Sequence, residues 1–154
     1  MEGLEDLLYD LRTLGSVRIN DRLNTTKDHL VIEQTSMGQG FWRWKAGDNR
    51  ERTIHYISKL ITTVIAVSDS IIESKYLSLI LEGDIEYTIE RAKRVKTLGE
   101  IHEAIKCGLV GVRNLVSTYE NDADTKFKFT KIAVSMENQL NKLYKILYTD
   151  NYNK

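Results

Sequence analysis

Across its 154 residues the chain has no proline. At an average usage of about 5%, roughly seven or eight would be expected. Proline costs about 3 kcal/mol inside a helix, because it has no N–H to donate and its ring strikes the preceding turn. A chain without it can run long unbroken helices, and the apolar pattern is that of such helices. Leu4, Leu7, Leu8, Leu11 and Leu14 share one helical face and Gly15 follows as a stop, which predicts an amphipathic helix over 3 to 14. Asp48 is a good N-cap with Glu51 behind it, opening a helix to about Glu73 along Ile54, Ile57, Ile61, Val64, Ile65, Ser68 and Ile72.

Helix is expected again from Lys75 to Lys96, with a break at Gly83-Asp84 and with Leu81, Ile85, Ile89, Ala92 and Val95 inward. Thr97-Leu98-Gly99-Glu100 reads as a capping box that starts another helix, carrying Leu98, Ile101, Ile105, Leu109, Val112, Leu115, Val116 and Tyr119. After a turn at 121 to 124, a last helix from Thr125 to Tyr148 buries Phe129, Ile132, Met136, Leu140, Leu143 and Leu147. From Ser16 to Gly47 the pattern breaks, and a small irregular, hairpin-like segment is expected at about 28 to 46. His29–Thr35 is β-like, and FWRWK at 41 to 45 alternates with period two, so a Gly38-Gln39-Gly40 turn could join the two as a small hairpin. The expected fold is mainly all-α: one domain over 1–154, with an N-terminal helix and irregular segment (1–47) on an antiparallel helical bundle (48–148).

Charge and composition exclude several functions. Lys plus Arg equals Asp plus Glu at 22 each, so the molecule as a whole does not attract polyanions and any such binding needs a local patch. The longest apolar run, residues 57 to 67, is too short and too interrupted to span a bilayer. With one cysteine, Cys107, and the acidic opening MEGLEDLLYD, the chain is expected to be soluble and intracellular.

No chemistry-bearing motif completes itself. His102-Glu103-Ala104-Ile105-Lys106 approaches the zinc-protease helix, but Lys106 stands where the second histidine must be. Cys107 lies mid-helix beside the buried face, more than a turn from His102, as a structural thiol would. Gly108 and Gly111 each cost about 1 kcal/mol inside a helix, which points to close helix–helix approach, by this chain or by a second copy. No metal and no cofactor is expected, and no catalytic residue.

What remains is the interleaving of both tryptophans with cations. Trp42, Arg43, Trp44 and Lys45 are followed by Arg50 and Arg52. Trp and Arg are enriched at protein–protein hot spots, and aromatic–basic alternation also serves single-stranded nucleic acid. A third reading makes the indoles anchors that fold the segment onto the bundle. Lys126, Lys128 and Lys131 form a second cluster in a first helical turn, where the helix dipole disfavours cations. A third cluster, Arg91 to Lys96, follows the acidic Glu82, Asp84, Glu86 and Glu90, a segregation of charge that suggests self-association.

Three elements carry a resemblance: Arg-Ile-Asn-Asp-Arg-Leu-Asn-Thr at 18 to 25, Leu-Val-Ile-Glu at 30 to 33, and aromatic–Arg–aromatic–x–x–Gly–Asp–x–Arg at 42 to 50 opening an Ile-rich helix. Over residues 4 to 75 the chain resembles small uncharacterised proteins of large nucleocytoplasmic double-stranded DNA viruses. The resemblance implies a viral product, a virion component, located in the host cytoplasm or the virion. Together these readings give a non-enzymatic helical protein acting through protein contacts at Trp42, Arg43, Trp44, Lys45, Arg50 and Arg52, with a second copy or a structural partner. The alternative is a nucleic-acid-binding accessory protein using 41 to 52 with Lys126, Lys128 and Lys131.

Overall fold

The computed structural model describes residues 2–15, 29–34, 40–45, 50–78 and 81–148. Along the chain these form α1 (Glu2–Leu14), β1 (His29–Gln34), β2 (Gly40–Lys45), α2 (Arg50–Ile72), α3 (Lys75–Ser78), α4 (Ile85–Thr118) and α5 (Ala123–Tyr148). The fold is all-α in class, with a two-stranded ribbon attached.

The centre is the antiparallel pair α4 and α5. Gly83 takes φ +85°, a left-handed conformation open to glycine, and Asp84 then caps α4 by accepting the Tyr87 N–H at 2.9 Å. From there α4 runs unbroken to Thr118. The Thr97–Glu100 box therefore starts no helix. The Thr97 hydroxyl donates instead to the Lys93 carbonyl at 3.0 Å, a back-bond that exists only when the preceding turn is already helical. At the other end Asp122 accepts from the Thr125 N–H at 3.3 Å and its hydroxyl at 2.9 Å, so α5 starts at Ala123, two residues before the expected Thr125.

Tyr119 and Phe129 stack across the α4–α5 turn at 5.8 Å, both fully buried. The core extends from them through Leu98, Ile101, Ile105, Leu109, Val112 and Leu115 of α4 and Ala133, Met136 and Leu143 of α5. Leu4, Leu8, Leu11 and Leu14 of α1 and Ile57, Leu60, Ile61 and Val64 of α2 close it. Each such side chain contributes about 1.5–3 kcal/mol relative to exposure. Ile132 and Leu140, expected in the core, are only partly buried.

The glycine pair finds its neighbour within the chain. A Cβ on Gly111 would overlap the Leu14 carbonyl, and one on Gly108 would overlap a Leu11 methyl. Gly15 in turn lies against the Cys107 carbonyl, so α1 and α4 approach backbone to backbone.

Helix α2 runs in the same direction as α5. Their starts are joined by Lys128 and Glu51 at 3.2 Å. Near their ends the Gln139 amide donates to Ser68 Oγ at 2.5 Å and Asp69 Oδ1 at 2.9 Å, and Lys142 reaches the same carboxylate at 2.9 Å. The antiparallel expectation thus holds for successive long helices, α2 against α4 and α4 against α5, which leaves α2 and α5 parallel.

The expected inward stripe of early α4 points the other way. Leu81, Ile85 and Ala92 are exposed, as is Ile89, while Val95 is half-buried. Tyr87 takes the buried position instead, its hydroxyl donating to the Tyr76 carbonyl at 3.2 Å. The reason is geometric: α3 is a single turn and covers one side of α4 here, the side on which Tyr87 lies.

β1 and β2 pair antiparallel, with Leu30 opposite Trp44 and Ile32 opposite Trp42. The expected hairpin strands are present; residues 35–39, including most of the expected glycine turn, lie outside the described residues. The ribbon is not isolated, since β1 lies beside α2 and β2 beside α1. No helix among the described residues is long and apolar enough to cross a membrane.

Candidate interaction surface

The first cluster begins on β2. Trp42, Arg43, Trp44 and Lys45 occupy its last four positions, and Arg50 is the first residue of α2. For these five the description covers the backbone and not the side chains, and Asp48, the expected cap, lies outside the described residues. Five Cα steps span at most about 18 Å, so the Lys45 end of the ribbon stays close to the start of α2. Arg52 is exposed on the first turn, its guanidinium 5.8 Å from the Tyr56 ring centre.

The second cluster lies at the start of α5. Because α2 and α5 are parallel, their positive dipole ends lie together, and Lys128 of α5 reaches Glu51 on the first turn of α2. Lys128 lies between Glu51 at 3.2 Å and Asp124 at 3.1 Å. Those carboxylates, Asp124 first and then Glu51, hold the Lys128 ammonium above the ordinary lysine value. Lys131 sits 5.6 Å over the ring of Phe127, which is 61% exposed. Lys126 is exposed as well.

Between the two helices runs an open groove of about 600 Å³. Ile54, Ile61, Ile65 and Ile132 form its apolar floor, with Lys128 and Lys131 at the rim. Sequence reasoning did not identify this groove, because it depends on α2 and α5 being parallel. Phe127 was also missed, although Lys126-Phe127-Lys128 repeats the aromatic–basic alternation of the FWRWK strand and could have marked it.

The residues weighed for chemistry do not assemble. Cys107 is half-buried rather than buried, its thiol 3.7 Å from Glu103 Oε1. Burial, and then the Glu103 carboxylate, push its pKa up, which opposes thiolate formation. His102 is held below the usual histidine value by burial and by Lys106, and its ring stands edge-on to Tyr148 at 5.9 Å. Among the described residues no three His, Cys, Asp or Glu side chains gather as a metal site.

Comparison with known protein families, with curated proteins and with solved structures finds no match to this chain.

Proposed function

We propose that this chain acts by protein–protein contact and carries no catalysis, as a structural or assembly component. In keeping with the resemblance of residues 4 to 75, the assembly is a viral one. The contact surface is the ribbon strand Trp42–Lys45 together with the mouth of the α2–α5 groove. The observation that supports this reading is an open groove between α2 and α5 with an isoleucine floor and Lys128 and Lys131 at its rim, beside the first turn of α2, the helix that follows the ribbon strand. Such a groove suits apolar side chains of a partner flanked by carboxylates, which the rim lysines Lys128 and Lys131 would meet.

Nucleic acid is the less favoured partner. Phosphate binding scales with the number of cations engaged, and Lys128 is already held by Glu51 and Asp124. Tryptophan emission tests the choice, because both indoles lie in the ribbon. An interface predicts blue-shifted emission that moves red on dilution or on loss of the partner, and an Arg43→Ala, Trp44→Ala variant that stays helical without binding. Emission unchanged by dilution and by partner would refute the interface. Quenching by single-stranded oligonucleotide, lost at high salt, would select the nucleic-acid alternative instead.

A further inference from the structure

The first turns of α4 reach beyond the end of α5. The last described residue of α5, Tyr148, lies beside His102, and Leu98 and Ile101 are still in the core, so residues 85–97 extend beyond it for about 20 Å. One side of this extension is covered by α3, through Tyr76 against Tyr87 at 5.6 Å and the Arg94 guanidinium 4.1 Å over Tyr76. Among the described residues nothing covers the opposite side. Ile85 is 76% exposed and Ile89 is 49% exposed.

At 100° per residue Ile85, Ile89 and Ala92 make one outward stripe, and Glu86 and Lys93 fall on the same flank of it, two turns apart. The charge along the stripe is segregated, with Glu82, Asp84 and Glu86 at one end and Lys93 and Lys96 at the other. We infer that this stripe binds the same stripe of a second copy, antiparallel about a two-fold axis near residues 89 and 90.

Charge dictates both the occupant and the direction. A nucleic acid or an anionic lipid surface laid along the stripe would meet the acidic end. A parallel copy would set Glu86 and Lys93 against the other flank of the stripe, Leu81, Thr88 and Val95, where no opposite charge answers them. In the antiparallel arrangement the two-fold axis keeps each flank opposite its own equivalent, so Glu86 of either copy meets Lys93 of the other while the isoleucines interdigitate. Lys93 must leave Glu90, which it now touches at 3.4 Å, but both are at the surface and such a pair is weak. About three to four turns of helix bury less than a standard interface, so the dimer is reversible and salt-sensitive. It lies at the opposite end of α2 from the ribbon, about 34 Å away, and does not depend on the function proposed there.

The test is sedimentation velocity of the full chain over a concentration series, at low and high salt, with far-UV circular dichroism to verify that each variant is helical. Wild type is expected to show a concentration-dependent dimer. E86K and K93E should each raise the dissociation constant about tenfold, and the double reversal E86K/K93E should return it to within about twofold of wild type. Ile89→Glu should leave a helical monomer. Only the antiparallel pairing predicts rescue by the double reversal. A wild type that stays monomeric to about 0.5 mM, single reversals without effect, or a double reversal no better than the singles would each overturn the inference. A dimer lost in the Arg43→Ala, Trp44→Ala variant but untouched by E86K and K93E would assign self-association to the ribbon and overturn it too. Tryptophan emission separates the two proposals, since a contact at early α4 leaves the indoles undisturbed.

Discussion

Glycine in the interior of α4 offers two opposite expectations for the same substitution. Helix propensity alone says that Gly111→Ala stabilises by about 1 kcal/mol. The packing says otherwise. An added Cβ would overlap the Leu14 carbonyl, a backbone group that cannot rotate out of the way, so α1 must move off α4. Overpacking of this kind costs about 1–3 kcal/mol, and a backbone obstacle belongs at the upper end. Subtracting the propensity gain leaves a net loss of about 2 kcal/mol, or a Tm lower by roughly 4–8 °C for a chain this size.

The same helix supplies the controls. Gly99 has nothing within 4 Å of an added Cβ, so Gly99→Ala should gain about 1 kcal/mol. At Gly108 the nearest obstacle is a Leu11 methyl, which can shift, so Gly108→Ala should fall between the other two. Urea unfolding followed at 222 nm measures all three. The order Gly99, Gly108, Gly111, from gain to loss, is the prediction. If Gly111→Ala stabilises as much as Gly99→Ala, α1 does not dock on α4 at this point and the close-approach argument fails.

Two other predictions concern titrating groups. Burial raises the pKa of Asp69, but bonds from Gln139 and Lys142 outweigh it and hold the carboxyl below its usual value of 3.8. The folded pKa is below the unfolded one, so the contribution is fully present above about pH 4 and is lost as pH falls through the folded value. Urea midpoints between pH 6 and pH 3 should therefore fall more steeply for wild type than for Asp69→Asn, and parallel curves would remove Asp69 from the account of acid stability. The Cys107 thiol, pushed up by burial and by Glu103, should react with a disulfide reagent at pH 8 more slowly than free cysteine. Denaturant should abolish the difference, and a native rate at or above that of free cysteine would contradict the assignment.

Much of the bundle was legible because its signals are local. Leu4, Leu8, Leu11 and Leu14 recur at helical spacing and all are buried, and the Phe129, Met136, Leu143, Leu147 stripe of α5 is buried as well. The two glycines were legible as a close approach because nothing else accounts for their cost inside a helix. Their partner was not, since the sequence carries no statement of which surface fills the notch. Nor was the direction of α2 relative to α5 readable. It is carried by pairs such as Glu51 with Lys128, which are 77 residues apart. The candidate site was read as two separate clusters, and only the parallel pairing brings Lys128 of the second to the first turn of α2. Thr97–Glu100 shows the reverse error, a good local signal with no local competitor in view. A capping box is worth something only where the chain before it is not helical, and here Ile85 to Lys96 already was.

The misread stripe of Leu81, Ile85, Ile89 and Ala92 has a different cause. Periodicity reports that one side of a helix is apolar, and it is silent on which molecule covers that side. Early α4 has two such sides. Tyr87 and Leu98 lie on the face turned to the bundle, while Ile85 and Ile89 lie nearly opposite. Tyr87 was not among the residues expected inward, yet its ring packs on Tyr76 and its hydroxyl donates to the Tyr76 carbonyl. Once Tyr87 takes the inward place, the isoleucines have no intramolecular partner among the described residues. A side chain as apolar as Ile85, three-quarters exposed, is common when it stands singly on a surface. Beside Ile89, on a helix that reaches beyond the end of α5, and flanked by charges that match only when the helix is reversed, it is better explained by a second copy than by chance.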